Sequence, residues 1–213
     1  MKKVVIFIFL FFCLFISAQS IPEGWYYIRS SYNPNYVIDL NASNATNGNN
    51  IHIWEFNGTN AQRWQVVHNN GAIILRSGVN SNFVIDLNAS DATNGNNIHI
   101  WEYNGTNAQR WFVEYRDGYY VLHSAVNQNF NIDLNRSNTT SGENIHCWEN
   151  NNTKAQLWIF EAISTNNQNN SSNKGPQLHM IVCPSCGGGG KLPWENYITC
   201  KTCGGTGMLV SYQ

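Results

Sequence analysis

The stretch that decides the fold covers residues 98–111 and reads IHIWEYNGTNAQRW. Residues 51–64, which lie 47 positions earlier, read IHIWEFNGTNAQRW. Residues 145–158, which lie 47 positions later, read IHCWENNNTKAQLW. The first Trp, the Gln and the second Trp keep their places in all three copies. A repeat of this length predicts three copies of one structural unit that must share a core.

Each unit contains four short runs that are typical of β-strands. In the first unit they are WYYIRS at 25–30, YVIDLN at 36–41, NIHIWEF at 50–56 and RWQVVH at 63–68. The TNGNN that begins at Thr46 contains Asn-Gly, whose residues accept positive φ, so it predicts a tight connection between the second and third strands. We therefore expect an all-β fold of three 47-residue, four-strand repeats, closed about a pseudo-threefold axis and without helices.

The sequence resembles a known family through three Gln-x-Trp triplets, which are QRW at Gln62, QRW at Gln109 and QLW at Gln156. Each triplet follows an IDLN and a second Trp, as in the ricin B-chain type lectins. The resemblance covers residues 21–162 and implies a β-trefoil that binds carbohydrate. It also implies that the Trp of each triplet is a core residue. These tryptophans are Trp64, Trp111 and Trp158.

A sugar presents one apolar face of C–H groups and a rim of hydroxyls, so its site needs an aromatic platform beside fixed polar groups. The Trp that lies ten residues before the triplet Trp is the candidate platform. The resemblance assigns the sugar-binding carboxylate to the Asp of IDLN, and period-two alternation puts a His on the same face as the platform. The triplet Gln and the Asn two residues before it complete the candidate set. Its members are Asp39, His52, Trp54, Asn60 and Gln62, then Asp86, His99, Trp101, Asn107 and Gln109, then Asp133, His146, Trp148 and Gln156.

These residues also have structural alternatives. A buried Gln would brace a loop with its amide as readily as it would contact a ligand. The Asp would brace a turn, and the platform Trp would be a partly buried rim residue. The residue before the Gln is often the Asn that completes the family's sugar site, but here it is Ala. The three positions are Ala61, Ala108 and Ala155.

The third repeat departs furthest from the pattern. Lys154 stands where the other repeats have Asn, and Cys147 stands where they have Ile. We expect Cys147 to pack as a small hydrophobic residue. The first two repeats are therefore the stronger candidates for binding.

The repeats do not indicate an enzyme. Glu55 lies three residues beyond His52, which on a strand places the two side chains on opposite faces and prevents them from cooperating as acid and base. The same pair recurs as His99 and Glu102, whereas a catalytic site would break the symmetry at one repeat. Repetition favours multivalent binding instead. The resemblance implies glycan partners, either galactose-type sugars or a polysaccharide.

The first residues have the pattern of a secretory signal peptide over residues 1–20. Lys2 and Lys3 precede an apolar run at 4–16, which is shorter than the roughly 20 residues that a membrane anchor needs. An uncleaved anchor is the alternative. Without Lys2 and Lys3, ten basic side chains face thirteen acidic ones, which argues against a nucleic-acid partner. We expect a secreted or periplasmic protein with no membrane span after cleavage.

The trefoil is expected over 21–163, an Asn- and Ser-rich linker over 164–181 and a cysteine-rich hairpin module over 182–210. The module contains two Cys-x-x-Cys pairs with thirteen residues between them. Each pair aims two thiolates at one point, and a hairpin would bring the pairs together as a four-sulfur zinc site. The candidate ligands are Cys183, Cys186, Cys200 and Cys203.

The tail is similar to the cysteine-rich zinc region of DnaJ-type chaperones, although it has two motifs where that region has four. Disulfides in an oxidising compartment and thiol exchange are the alternatives to zinc. Two functions follow from the whole sequence. One is a secreted, multivalent, lectin-like glycan-binding protein without catalysis. The other is a protein-interaction adaptor in which the trefoil is a scaffold and the tail contacts a protein partner.

Overall fold

The computed structural model describes residues 20–163 and the backbone of two further strands, Leu178–Val182 and Met208–Tyr212. The predicted signal peptide, except for Ser20, lies outside the described residues. The chain divides into two compact units, Met1–Thr165 and Asn166–Gln213. Within the described part, no helix is long and apolar enough to cross a membrane.

The described part of the first unit, residues 20–163, is built from strands and short 3₁₀ turns. Its strands are β1 Gly24–Ser30, β2 Tyr36–Leu40, β3 Ile51–Glu55, β4 Trp64–Asn69, β5 Ala72–Ser77, β6 Phe83–Leu87, β7 Ile98–Glu102, β8 Trp111–Arg116, β9 Tyr119–Ser124, β10 Phe130–Leu134, β11 Ile145–Glu149 and β12 Trp158–Ala162. Its 3₁₀ turns are η1 Asn41–Ser43, η2 Asn60–Gln62, η3 Asn88–Ser90, η4 Asn107–Gln109, η5 Asn135–Ser137 and η6 Lys154–Gln156. The four strands predicted for the first repeat are confirmed as β1 to β4. The 3₁₀ turns were not predicted.

Six of the strands close into a barrel. β1 pairs with β4 and β12, β5 pairs with β4 and β8, and β9 pairs with β8 and β12. The other six strands form three hairpins, β2–β3, β6–β7 and β10–β11. Each repeat contributes two strands to the barrel and one hairpin. This arrangement is a β-trefoil, and the predicted threefold closure is confirmed.

The triplet tryptophans lie in the shared core, as predicted. Trp64, Trp111 and Trp158 are each 0% exposed. A buried indole N–H needs an acceptor, and each finds one on the second strand of its own repeat. The acceptors are the carbonyl oxygens of Ile38 at 3.0 Å, Ile85 at 3.4 Å and Ile132 at 3.2 Å.

Three asparagine side chains join the hairpins in a closed ring. Asn50 Nδ2 donates to Asn144 Oδ1 at 2.9 Å, and Asn144 Nδ2 donates to Asn97 Oδ1 at 3.0 Å. Asn97 Nδ2 completes the ring by donating to Asn50 Oδ1 at 2.9 Å. Each residue comes from a different repeat, so the ring ties the three hairpins to one another.

In the second unit, β13 Leu178–Val182 pairs antiparallel with β14 Met208–Tyr212. Leu178 lies opposite Tyr212, and Val182 lies opposite Met208. β13 covers the last four residues of the stretch predicted as linker and the first residue of the predicted module. The four candidate zinc ligands lie between the two strands in sequence and outside the described residues.

Candidate functional site

An aspartate and a histidine form the floor of the candidate site. In the first repeat, Asp39 on β2 lies directly opposite His52 on β3, and Asp39 Oδ1 is 3.2 Å from His52 Nε2. The other two pairs are Asp86 with His99 at 3.3 Å and Asp133 with His146 at 3.0 Å. All six side chains are buried.

The platform tryptophan forms the wall beside this floor. Trp54 lies two residues after His52 on the same face of β3, and its ring centroid is 5.4 Å from that of the imidazole. Trp54, Trp101 and Trp148 remain 41%, 39% and 37% exposed. An exposed indole therefore stands beside a buried carboxylate in every repeat.

Each wall is supported by a glycine turn of another repeat, which is Asn-Gly at Gly48 and Gly95 and Ser-Gly at Gly142. A Cβ placed on Gly142 would lie 3.8 Å from Cζ3 of Trp54, and Gly142 N donates to the carbonyl of Ile53 at 2.9 Å. The same contact recurs between Gly48 and Trp101. Every site is thus made from two repeats and depends on closure of the trefoil.

A turn in the left-handed conformation forms one rim. Ala42 and Ser43 both have φ 52°, which costs an L-residue about 1–2 kcal/mol. Asn49 Nδ2 holds this turn by donating to the carbonyls of Asn41 at 2.8 Å and Asn44 at 2.6 Å. The corresponding left-handed residues are Ala89 and Ser90, then Arg136 and Ser137. Strained backbone at the same position of every repeat points to a functional site. The sequence signal was the Asn-x-Ser that directly follows each IDL.

The third repeat contains an open cleft with a volume of about 490 Å³. Asp133 and His146 form its floor and Trp148 its wall. One rim is the left-handed turn, and the other is the loop that follows β11. The complete lining is Asp133, Leu134, Asn135, Arg136, Ser137, His146, Trp148, Asn151, Thr153 and Ala155.

The triplet Gln braces the second rim and does not reach the cleft. In the first repeat Gln62 is fully buried, and its Oε1 accepts hydrogen bonds from the backbone N–H groups of Asn57 at 2.8 Å and Gly58 at 3.1 Å. Its Nε2 donates to the carbonyl of Glu55 at 2.9 Å. Gln109 makes the same set of bonds. Of the two alternatives for Gln, the geometry therefore favours the loop brace over a sugar contact.

The structure also does not bring the candidate asparagines to the site. Asn60 lines a separate cavity of about 190 Å³ that includes Trp25 and Arg63. The Oδ1 of Asn107 accepts a hydrogen bond from Arg110 Nη1 at 3.0 Å. Lys154, at the equivalent position, is not among the residues that line the third cleft. Asn60 and Asn107 lie in the 3₁₀ turns η2 and η4, and these contacts do not join them to the Asp, His and Trp of the site.

Cys147 is fully buried in the shared core, as predicted for a small hydrophobic residue. Burial raises the pKa of its thiol to about 12. It occupies the position of Ile53 and Ile100 and takes no part in the cleft.

Comparison with known proteins agrees with this architecture. A family model described as ricin-type beta-trefoil lectin domain-like matches residues 14–101 and 60–148. No curated protein matches the chain by sequence. The chain is 20% identical to the designed threefold symmetric protein ThreeFoil, with a TM-score of 0.63, covering 66% of this chain and 99% of that one. It is 23% identical to the Rhizoctonia solani agglutinin, with a TM-score of 0.61 and coverage of 68% and 98%.

A third similar structure is the C-half of an earthworm R-type lectin in complex with GalNAc, at 20% identity and a TM-score of 0.52. That match covers 67% of this chain and all of the earthworm fragment. At these identities the structural likeness shows the fold, whereas the family model spans more than half of the chain. Family and fold together support a carbohydrate-binding role and suggest that it is non-catalytic. The chain belongs to the ricin-type beta-trefoil lectin domain-like family.

Proposed function

We propose that the protein is a secreted, lectin-like protein that binds glycans in three clefts, one in each repeat, without catalysing a reaction. The observation that carries this proposal is the exposed tryptophan beside a buried Asp–His pair, which recurs in all three repeats. Secretion is supported by the pattern of residues 1–20.

The tryptophan supplies the apolar half of the site. Its exposed indole face matches the C–H face of a hexose, and this contact is favourable because it removes apolar surface from water. The imidazole of the neighbouring His packs against the indole at 5.4 Å in the first repeat, 5.6 Å in the second and 5.2 Å in the third. The indole is therefore held in place before a sugar arrives, which lowers the entropic cost of binding.

The aspartate supplies the polar half. One carboxylate oxygen is held by the His, while the other has no hydrogen-bond partner among residues 20–163. In each cleft this second oxygen is the acceptor that we assign to a sugar hydroxyl. Hydrogen bonds to an ionised carboxylate are about twice as strong as neutral ones. The His also orients the carboxylate, so the acceptor points in a fixed direction.

Three clefts on one rigid unit suit a clustered or polymeric glycan. A single shallow sugar contact is weak, but tethered contacts gain from effective concentration when one ligand spans them. We assign the ligand to galactose-type sugars or to a polysaccharide that carries them.

Titration calorimetry of the purified protein tests the proposal. The ligands are galactose, N-acetylgalactosamine and a branched polysaccharide that bears both. Asp39→Asn with Asp86→Asn removes the charge of two clefts while keeping the side-chain shape, and we expect binding at these two clefts to weaken by about tenfold or more, which leaves the third cleft as the remaining site. Asp117→Asn is the matched control, because Asp117 is exposed in the turn between β8 and β9. A folded protein that binds no glycan on an array would contradict the proposal. The tail should then be used to capture a protein partner.

We also propose that the four tail cysteines bind zinc. The Cys-x-x-Cys spacing supports this proposal. The backbone pairing of Val182 with Met208 adds support, because it brings together the two ends of the segment that carries the cysteines.

A further inference from the structure

We infer that the third cleft selects an anionic saccharide, one that bears a carboxylate or a sulfate, and that Arg136 is the residue that selects it. The first two clefts then take neutral sugars. This inference rests on the proposed function and adds a difference in ligand class among the three clefts.

Arg136 occupies a position where the other repeats have alanine. Ala42, Ala89 and Arg136 have φ values of 52°, 53° and 53°, so their Cβ atoms leave the rim turn in the same direction. In the third repeat this turn borders the cleft, and Arg136 is one of the lining residues. The substitution therefore places a guanidinium on the rim of a site that is otherwise built on the same plan.

The guanidinium is available for a ligand. Arg136 has no hydrogen bond or ion pair within residues 20–163, and its side chain is exposed. Neither nearby carboxylate forms an ion pair with the guanidinium of Arg136, and each has another partner. Asp133 is bound by His146 at 3.0 Å, and Glu143 accepts from the amides of Asn135 at 2.6 Å and Asn138 at 2.8 Å. A planar guanidinium with free donors matches the paired oxygens of a carboxylate or sulfate.

The opposite rim of the third cleft has changed as well. Asn131 replaces a valine of the other repeats, and its Nδ2 donates to Gln156 Oε1 at 3.0 Å. Gln156 still accepts from Asn151 N, but the next amide, Asn152 N, now bonds to Asn150 Oδ1 at 3.3 Å. The third cleft therefore differs from the others on both rims, as expected for a site with its own ligand.

The rim turns of the first two repeats lack this positive charge. In the first repeat the turn is neutral, with Ala42 followed by Ser43 and Asn44. In the second repeat it carries a carboxylate, Asp91, which repels an anion. The first cleft is therefore the better recipient for a transplanted arginine.

Calorimetry on the full chain with Asp39→Asn and Asp86→Asn, which leaves the third cleft intact, provides the test. The probes are galactose, galactose 6-sulfate and galacturonic acid, so that the sulfate and carboxylate arms are separate. We expect one of the anionic sugars to bind at least about tenfold more tightly than galactose. This difference in affinity should decrease as the salt concentration is raised. Arg136→Ala should remove this advantage, and Arg136→Lys should keep part of it. Lys154→Asn is the charge-matched control, because Lys154 lies in the same repeat outside the cleft.

Ala42→Arg in a chain with Asp86→Asn and Asp133→Asn should transfer the preference to the first cleft. If galactose binds the unmodified protein but the third cleft binds no anionic sugar more tightly, the inference is wrong while the proposed function stands. An advantage that survives Arg136→Ala would also overturn it. If none of these sugars binds the unmodified protein, both the inference and the galactose-type assignment fail.

Discussion

Gly48 of the first repeat supports Trp101 of the second. A Cβ placed on Gly48 would lie 3.8 Å from Cζ3 of Trp101, and Gly48 N donates to the carbonyl of Ile100 at 2.9 Å. Gly48 has φ +80°, a conformation that L-residues rarely adopt. The glycine thus forms the turn, and the turn supports the wall of a cleft in another repeat.

Gly48→Ala should lower the free energy of unfolding by about 1–2 kcal/mol through backbone strain alone, because 3.8 Å is an ordinary van der Waals contact. Gly71→Ala is the matched control, since Gly71 has φ +79° and nothing within 4 Å of its added Cβ. Chemical denaturation should give equal losses for the two variants. A clearly larger loss for Gly48→Ala would mean that the indole of Trp101 lies closer to the turn than 3.8 Å.

The two classes of tryptophan should respond differently to truncation. Trp64→Ala removes a fully buried side chain and should cost about 3–5 kcal/mol. In a chain that also carries Asp86→Asn and Asp133→Asn, Trp54→Ala removes a side chain that is 41% exposed, so the loss of stability should be smaller while glycan retention by the first cleft is abolished. Denaturation and affinity chromatography measure the two effects. Unfolding of the Trp54→Ala variant would assign that tryptophan to the core instead.

Gln109→Leu should loosen the second rim of its cleft. It leaves the partly buried N–H groups of Asn104 and Gly105 without their acceptor, and we expect a cost below the roughly 1–3 kcal/mol of a fully buried unpaired group. Amide hydrogen exchange should show lost protection at these two residues. Gln128→Leu, at an exposed position, is the control and should leave exchange in this loop unchanged. Retained protection in Gln109→Leu would contradict the bracing role.

Cys147 should make the fold sensitive to alkaline pH. Its pKa is about 12 in the folded protein, raised mainly by burial, against 9.0 for an ordinary thiol. Between these values the unfolded chain loses the thiol proton and the folded chain keeps it, so stability falls as pH rises. Cys147→Ile, which copies the other repeats, should remove this part of the pH dependence. If the free energy of unfolding changes with pH to the same extent in both proteins from pH 9 to 12, the prediction is wrong.

The purified protein should carry about one zinc ion for the four tail cysteines. Metal analysis before and after treatment with a chelator measures the zinc content. Cys183→Ser with Cys200→Ser should abolish zinc binding. Cys147→Ile is the control and should keep the metal, because Cys147 lies in the trefoil core. Four cysteines that resist alkylation until a reductant is added would show disulfides instead.

Much of the fold was predictable because its signals are local or periodic. The 47-residue spacing implies three equivalent units, and the alternation along β2 and β3 places Asp39, His52 and Trp54 on one face. These relationships follow from the pleat of a strand, which any chain in that conformation must obey. They needed no knowledge of how the repeats meet.

The remaining features depend on contacts between distant residues. Asn49 holds the left-handed turn at Ala42 and Ser43 by bonding to both of its ends, and Asn60 lines a different cavity from the predicted site. The sequence by itself determined the repeat, the strands and the shared face of Asp, His and Trp. Only the tertiary structure decided that each cleft is completed by another repeat, because the contact between Gly48 and Trp101 exists only once the barrel has closed.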